Sequence, residues 1–148
     1  MIRAAVQTDP IDLAQELAAI EVPGAGGIAT FAGLVRADDG VSALELEHYP
    51  GATDAALLAL AERAAQRWSL LAVTVIHRVG VMYPGERIVF VGVAATHRAP
   101  ALEACAFLID RLKTDAPFWK RESRGADSRW VEPRGSDDDA AARWQEPG

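Results

Sequence analysis

The sequence predicts an α+β fold, with helices laid on mostly antiparallel sheet, and three observations carry that expectation. The order of periodic segments is two strands, helix, two strands, helix, two strands, after a short opening helix. The strands come in pairs, joined by short turn signals such as Asp38-Asp39-Gly40 and Tyr83-Pro84-Gly85-Glu86, rather than alternating singly with helices. The chain is 148 residues long, the size of a single domain spanning residues 1–148, and has no repeat, low-complexity stretch or linker.

Taken in order, Asp9-Pro10 reads as a cap followed by a first-turn proline. Ile11, Leu13, Leu17 and Ile20 form the apolar stripe of a short helix. Glu21 to Gly27 is a break rich in glycine, and Ile28 to Arg36 a buried strand with small and apolar residues on both faces. Ser42 to Tyr49 alternates, placing Leu44, Leu46 and His48 on one face and Glu45, Glu47 and Tyr49 on the other. Thr53-Asp54 caps a helix to about Trp68, with Leu57, Leu60, Ala61 and Ala64 inward. Leu71 to Gly80 is a strand. The Tyr83–Glu86 segment suits a type II turn, and Arg87 to Ala95 is apolar on both faces, as in a covered strand. A third helix opens near Pro100, carries Leu102, Cys105, Ala106, Ile109 and Leu112 as its stripe, and is closed by Pro117. Phe118 to Val131 gives two short strands around Arg124-Gly125-Ala126-Asp127. Ser136 with its following aspartates caps a last short helix.

Composition narrows the class. Half the residues are hydrophobic and 24% are charged, as in an ordinary soluble globular chain. No apolar run approaches the roughly 20 residues of a membrane helix, and Met1-Ile2-Arg3 opens no signal peptide. One cysteine, Cys105, rules out an internal disulfide framework and suits a reducing cytoplasm. A net charge of −6 argues against nucleic acid or an anionic membrane as partner, while leaving room for a local cationic pocket.

Few residues have the spacing that chemistry needs. His48, His77 and His97 are scattered, with no metal-ligand spacing, so no metal is expected. The glycines of Pro23–Gly27 lack the Gly-Lys-Ser/Thr ending of a phosphate loop and lead into a strand, which makes them a hinge. Cys105 on an apolar stripe reads as buried and inert. What remains is a set of basic residues at element ends. Arg36 closes a strand, and His97-Arg98 stands where a strand becomes a helix, beside backbone N–H groups that favour anions. Lys113 lies near that helix's C-terminal end, and Lys120 and Arg121 follow Phe118-Trp119. Singly, each is more readily a solvated charge at a strand or helix end. Together they outline an anion pocket with one or two lysines whose proton affinity neighbouring cations would depress.

Longer motifs add a resemblance. Thr30–Arg36, Leu46–Gly51, Val75–Gly80 with Pro84-Gly85-Glu86, and Val91-Gly92-Val93 leading to His97-Arg98 are similar to the molybdopterin synthase large-subunit family. The most specific blocks are Leu112-Lys113-Thr114, Ala116–Glu122 and Arg129–Glu132, and the likeness runs from about Gly24 to Trp144. The resemblance implies an α/β-hammerhead fold and a dimer of large subunits, with a small ubiquitin-like sulfur carrier at each end. The carrier's C-terminal Gly-Gly thiocarboxylate would enter a pocket of the large subunit. The implied reaction is conversion of cyclic pyranopterin monophosphate to molybdopterin by transfer of two sulfurs, without metal or organic cofactor. By position, Lys113 and Lys120 match the family's catalytic lysines. Arg36, with Leu34 and Val35 beside it, and His97 and Arg98 match residues that hold the substrate. Arg121 and Glu122 complete its wall, and Phe31 is a pocket aromatic. Leu34 stands where some relatives carry lysine, and Leu102 replaces a common phenylalanine. Beside this enzyme reading stand two others: a non-catalytic module that docks a ubiquitin-like partner, and a nucleotide- or phosphate-binding regulator.

Overall fold

The computed structural model describes residues 1–37 and 40–124, the backbone of 127–131, and Trp144. Its order is β1 (Ile2–Gln7), α1 (Leu13–Ile20), β2 (Gly27–Leu34), β3 (Ala43–His48), α2 (Ala52–Trp68), β4 (Ala72–Arg78), β5 (Gly80–Met82), β6 (Arg87–Ala95), α3 (Arg98–Asp115), β7 (Phe118–Arg124) and β8 (Asp127–Val131). These form two four-stranded sheets, one ordered β1-β4-β6-β2 and the other β5-β3-β7-β8. All pairings are antiparallel except β1 with β4. The α+β expectation therefore holds.

The first sheet is covered on both faces, which is why β4 and β6 read as apolar throughout. Val73, Val75, Val91 and Val93 point to α2 and α3, joining Leu57, Leu60, Phe107 and Leu108 in the main core. On the opposite face Ile20 of α1 packs on Ala72 and Ala94. Truncating Leu57 or Leu108, both fully buried, would cost about 2–5 kcal/mol. The second sheet buries the Leu44 and Leu46 side of β3 against Val35, Val79 and Met82, with Phe118 packed alongside. Tyr83–Glu86 turns as expected, with Gly85 at φ 94° and the Glu86 N–H donating to the Tyr83 carbonyl at 3.0 Å.

Several expectations need correction. The N-terminal residues form a strand, β1, which the sequence did not announce. The first helix is capped by Asp12, whose side chain accepts from the Gln15 N–H, rather than by Asp9. Strand β2 is an edge strand, not a buried one, with Phe31 37% and Leu34 55% exposed. In α3 the inward stripe is Ala101, Ala104, Cys105, Phe107, Leu108 and Leu112, while Leu102 is 61% exposed. Small alanines let this helix lie close on β2 and β6, so packing fixes its phase. Asp38, Asp39 and the expected helix after Ser136 lie outside the described residues.

Candidate active site

A cleft of about 120 Å³ opens between the two sheets at the C-terminal end of α3. One wall is the end of β2 and its extension, Leu34, Val35 and Arg36, with Ile88 of β6. Facing it are Val41, Leu44 and the inward side of β7, and Lys113 closes the end. Strand period explains the β7 contribution: Lys120, Glu122 and Arg124 alternate onto the cleft side, opposite Leu46 and Leu44 of β3. Val35 is pinned twice to the Tyr83–Glu86 turn, donating to the Glu86 carbonyl and accepting from the Gly85 N–H, each at 2.9 Å. That turn is itself held by buried Arg78, whose guanidinium donates to Glu86 at 3.3 Å and to the Thr8 carbonyl at 2.8 Å. Arg36 is thus carried to the cleft by a braced segment.

Among the described residues, the cleft lining is a cationic frame around one carboxylate. Glu122 is buried and accepts from Arg124 at 2.8 Å, with the Lys120 ammonium at 3.5 Å. Burial opposes its charge, but Lys120 and Arg124 outweigh that, and its carboxyl lies below the usual carboxylate range. Ionised Glu122 therefore holds both cations in place and offsets part of their charge. Cys105 is buried away from this frame, its thiol pushed up to about 11 by desolvation, which leaves no thiolate for chemistry at neutral pH. Among the described residues no group of three or more His, Cys, Asp or Glu side chains is placed to hold a metal ion. No helix there is long and apolar enough to cross a membrane.

Of the residues singled out in the sequence, Leu34, Val35, Arg36, Lys113, Lys120 and Glu122 meet in this cleft. Phe31 lies outside it, with the edge of its ring 3.4 Å from where a side chain on Gly33 would begin. Arg121 points to the other face of the second sheet, 3.6 Å from Glu45, because neighbours on a strand face opposite ways. His97 and Arg98 are exposed at the far end of α3. At about 1.5 Å rise per residue, Arg98 and Lys113 lie about 22 Å apart along the helix axis. They cannot touch the same small molecule within one chain. Arg124 was missed, although its two-residue spacing from Lys120 and Glu122 was a readable signal.

A two-sheet α+β domain with a cleft lined by Arg36, Lys113, Lys120 and Arg124 and by the Glu122 carboxylate defines the class, an enzyme built to handle an anion. The family model described as MoaE protein matches residues 6–115. The molybdopterin synthase catalytic subunit of Escherichia coli is 54% identical over 122 residues, covering 80% of this chain and 81% of the relative. That of Pseudomonas aeruginosa is 49% identical over 146 residues, covering 95% and 97%. The solved molybdopterin biosynthesis MoaE protein of Burkholderia ambifaria superposes with a TM-score of 0.84 at 46% identity, covering 97% of this chain and 98% of its own. The chain belongs to the MoaE protein family.

Proposed function

We propose that the chain, acting as one domain in the cytoplasm, is the catalytic subunit of a molybdopterin synthase. It converts cyclic pyranopterin monophosphate to molybdopterin with two sulfurs from the thiocarboxylated C-terminus of a small ubiquitin-like subunit. The observation that carries this reading is the convergence of Lys113, Lys120, Arg36 and Arg124 on one cleft around ionised Glu122. A thiocarboxylate tail and a cyclic phosphate are both anions, and fixed cations in a partly dry site lower the cost of bringing them together. The thiocarboxylate sulfur forms a bond to a pterin carbon, whose oxygen leaves after taking a proton from a lysine. Water then attacks the acyl carbon, the sulfur stays on the pterin, and the tail departs as a carboxylate. A second charged tail repeats the sequence. Lys113 and Lys120 are the catalytic residues in this reading; Leu34, Val35, Arg36 and Glu122 form the substrate wall.

Phe31, His97 and Arg98 join the same reading through a second copy of the chain. The cleft of one copy is smaller than the roughly 300–1,000 Å³ that ligand sites commonly have. Strand β2 is an open edge. Its first residue, Gly27, lies so close to the start of α3 that an added Cβ would sit 3.0 Å from the Arg98 backbone. Its last residue, Leu34, lines the cleft. Antiparallel apposition of two β2 edges about a twofold axis brings His97 and Arg98 of one copy towards the cleft of the other. Exposed Ile28, Phe31 and Leu34 supply the apolar contact. Arg121, on the opposite face, falls outside this substrate wall.

The test is reconstitution. The purified chain, a thiocarboxylated small subunit and the pterin precursor should yield a dithiolene pterin, identified by mass spectrometry of its alkylated form. Binding of the small subunit with no dithiolene product would instead identify a docking module.

A further inference from the structure

The lysines are held by parts of the molecule that lie outside the cleft. The segment Thr114–Pro117 links them, and β7 begins directly after it at Phe118. Phe118 belongs to the second sheet, while His77 belongs to the first, on β4. Their rings stack with centroids 4.1 Å apart and planes 30° from parallel. The His77 ring is fixed in turn, since its Nδ1 lies 2.9 Å from the Arg78 carbonyl oxygen, which needs a proton on Nδ1. This stack joins the two sheets directly behind the cleft. Phe118 packs against the apolar cluster of Val35, Leu44, Leu46, Val79 and Met82, which includes two of the cleft's own wall residues. Phe118, Lys120 and Glu122 also share one side of β7, so a shift of Phe118 carries Lys120 with it.

On that geometry we propose that His77 is a positioning residue of the sulfur-transfer site, its ring clasping Phe118 so that Lys113 and Lys120 keep their separation across the cleft. The proposal rests on the lysines having the role given above. Its chemistry is consistent with the ring's charge. Burial drives the His77 pKa down to about 4, the Arg78 carbonyl partly opposes this, and the nearby Lys113 ammonium lowers it further. The ring is therefore neutral at working pH and adds no repulsion to a site that must admit Lys113. A flat, neutral ring is the property the position requires.

Three variants of the reconstituted synthase test this. His77→Ala and His77→Asn remove the stack, and His77→Phe keeps a flat neutral ring without the nitrogen. Misplacement of catalytic groups by about 1 Å costs on the order of 10²-fold in rate. The single-turnover rate should fall by that order in His77→Ala and His77→Asn, with affinity for the small subunit unchanged. His77→Phe should recover most of the rate. Independently of turnover, a short amine-reactive cross-linker such as difluorodinitrobenzene should join Lys113 to Lys120 in the wild type and in His77→Phe, and several-fold less in His77→Asn. Equal cross-linking in all four proteins, or wild-type rates in a folded His77→Asn, overturns the proposal. So does a loss that tracks only melting temperature and partner affinity, as a purely structural role requires. Lys120→Ala run in parallel separates the two claims. Wild-type turnover there removes the lysine mechanism, while the cross-linking result still decides the spacing.

Discussion

Arg98 and Lys120 belong to one site only if two copies of the chain build it, and mixing two dead variants decides the matter. With Arg98 in the proposed role of phosphate contact, Arg98→Ala should lower precursor affinity by about 10–150-fold, the about 1.5–3 kcal/mol of a charge-assisted contact. Lys120→Ala removes a proposed catalytic lysine, and assayed at limiting precursor each variant alone should be nearly inactive. The helix between Arg98 and Lys113 spans about 22 Å, so one chain cannot supply both ends of the site. If the two variants are co-expressed in equal amounts, half the dimers are mixed. In each mixed dimer one site has both defects and the other has neither, which restores about a quarter of wild-type sites. Differently tagged chains, isolated by tandem purification, raise this to about half. The assay is dithiolene pterin formed per active dimer. Activity no greater than the sum of the two parents would show that both residues act within one chain, and would refute the shared cleft.

Three further outcomes follow from the same geometry. Lys113→Arg should fail to restore activity, since guanidinium keeps the charge but does not give up its proton; full turnover would reduce Lys113 to an anchor for the tail's charge. Arg124→Ala should raise the pKa of Glu122 and weaken precursor binding several-fold, read by carboxylate NMR titration and calorimetry; an unmoved carboxyl would deny the pairing. The third concerns acid stability. Folding keeps His77 neutral down to about pH 4, whereas the unfolded chain protonates it near 6.5. Its contribution is whole above pH 6.5 and is lost as pH falls towards 4, on the order of 3 kcal/mol in all. The Glu122 carboxyl, depressed below 4.5, contributes above that pH and loses its share only below it, so the 6.5–4.5 window belongs chiefly to His77. Denaturant titrations should show that slope in the wild type and lose it in His77→Phe; identical slopes would contradict the half-buried neutral ring.

How much of this was legible in the sequence depends on the range of the interaction that decides each element. Strand β3 was readable because Leu44 and Leu46 alternate with Glu45 and Glu47, a pattern set by one buried face. Lys120 stood out only as a basic residue after Phe118-Trp119 and Glu122 only through the family resemblance, whereas the strand period of β7 turns Lys120, Glu122 and Arg124 inward and Arg121 outward. By contrast, β1 shows no clean alternation, and its partner β4 lies some seventy positions away, Ile2 pairing in parallel with Val73. The phase of α3 was misjudged because Leu102 looks like core, while the residues that face inward include Ala101 and Ala104, chosen by close helix–sheet approach. The separation of His97-Arg98 from Lys113 follows from helix length alone, yet it becomes a constraint only when both are required at one substrate. The clasp of His77 on Phe118 had no local signal at all, since it joins residues brought together by two different sheets.

Lys113 and Lys120 are proposed to make this cleft a sulfur-transfer site. A single-turnover experiment with thiocarboxylated small subunit and pterin precursor decides this, comparing the wild type with Lys120→Ala at matched small-subunit occupancy. Dithiolene pterin should form with the wild type and be essentially absent with the variant, at the same melting temperature and the same affinity for the small subunit. Dithiolene formation at the wild-type rate in Lys120→Ala would contradict the proposal.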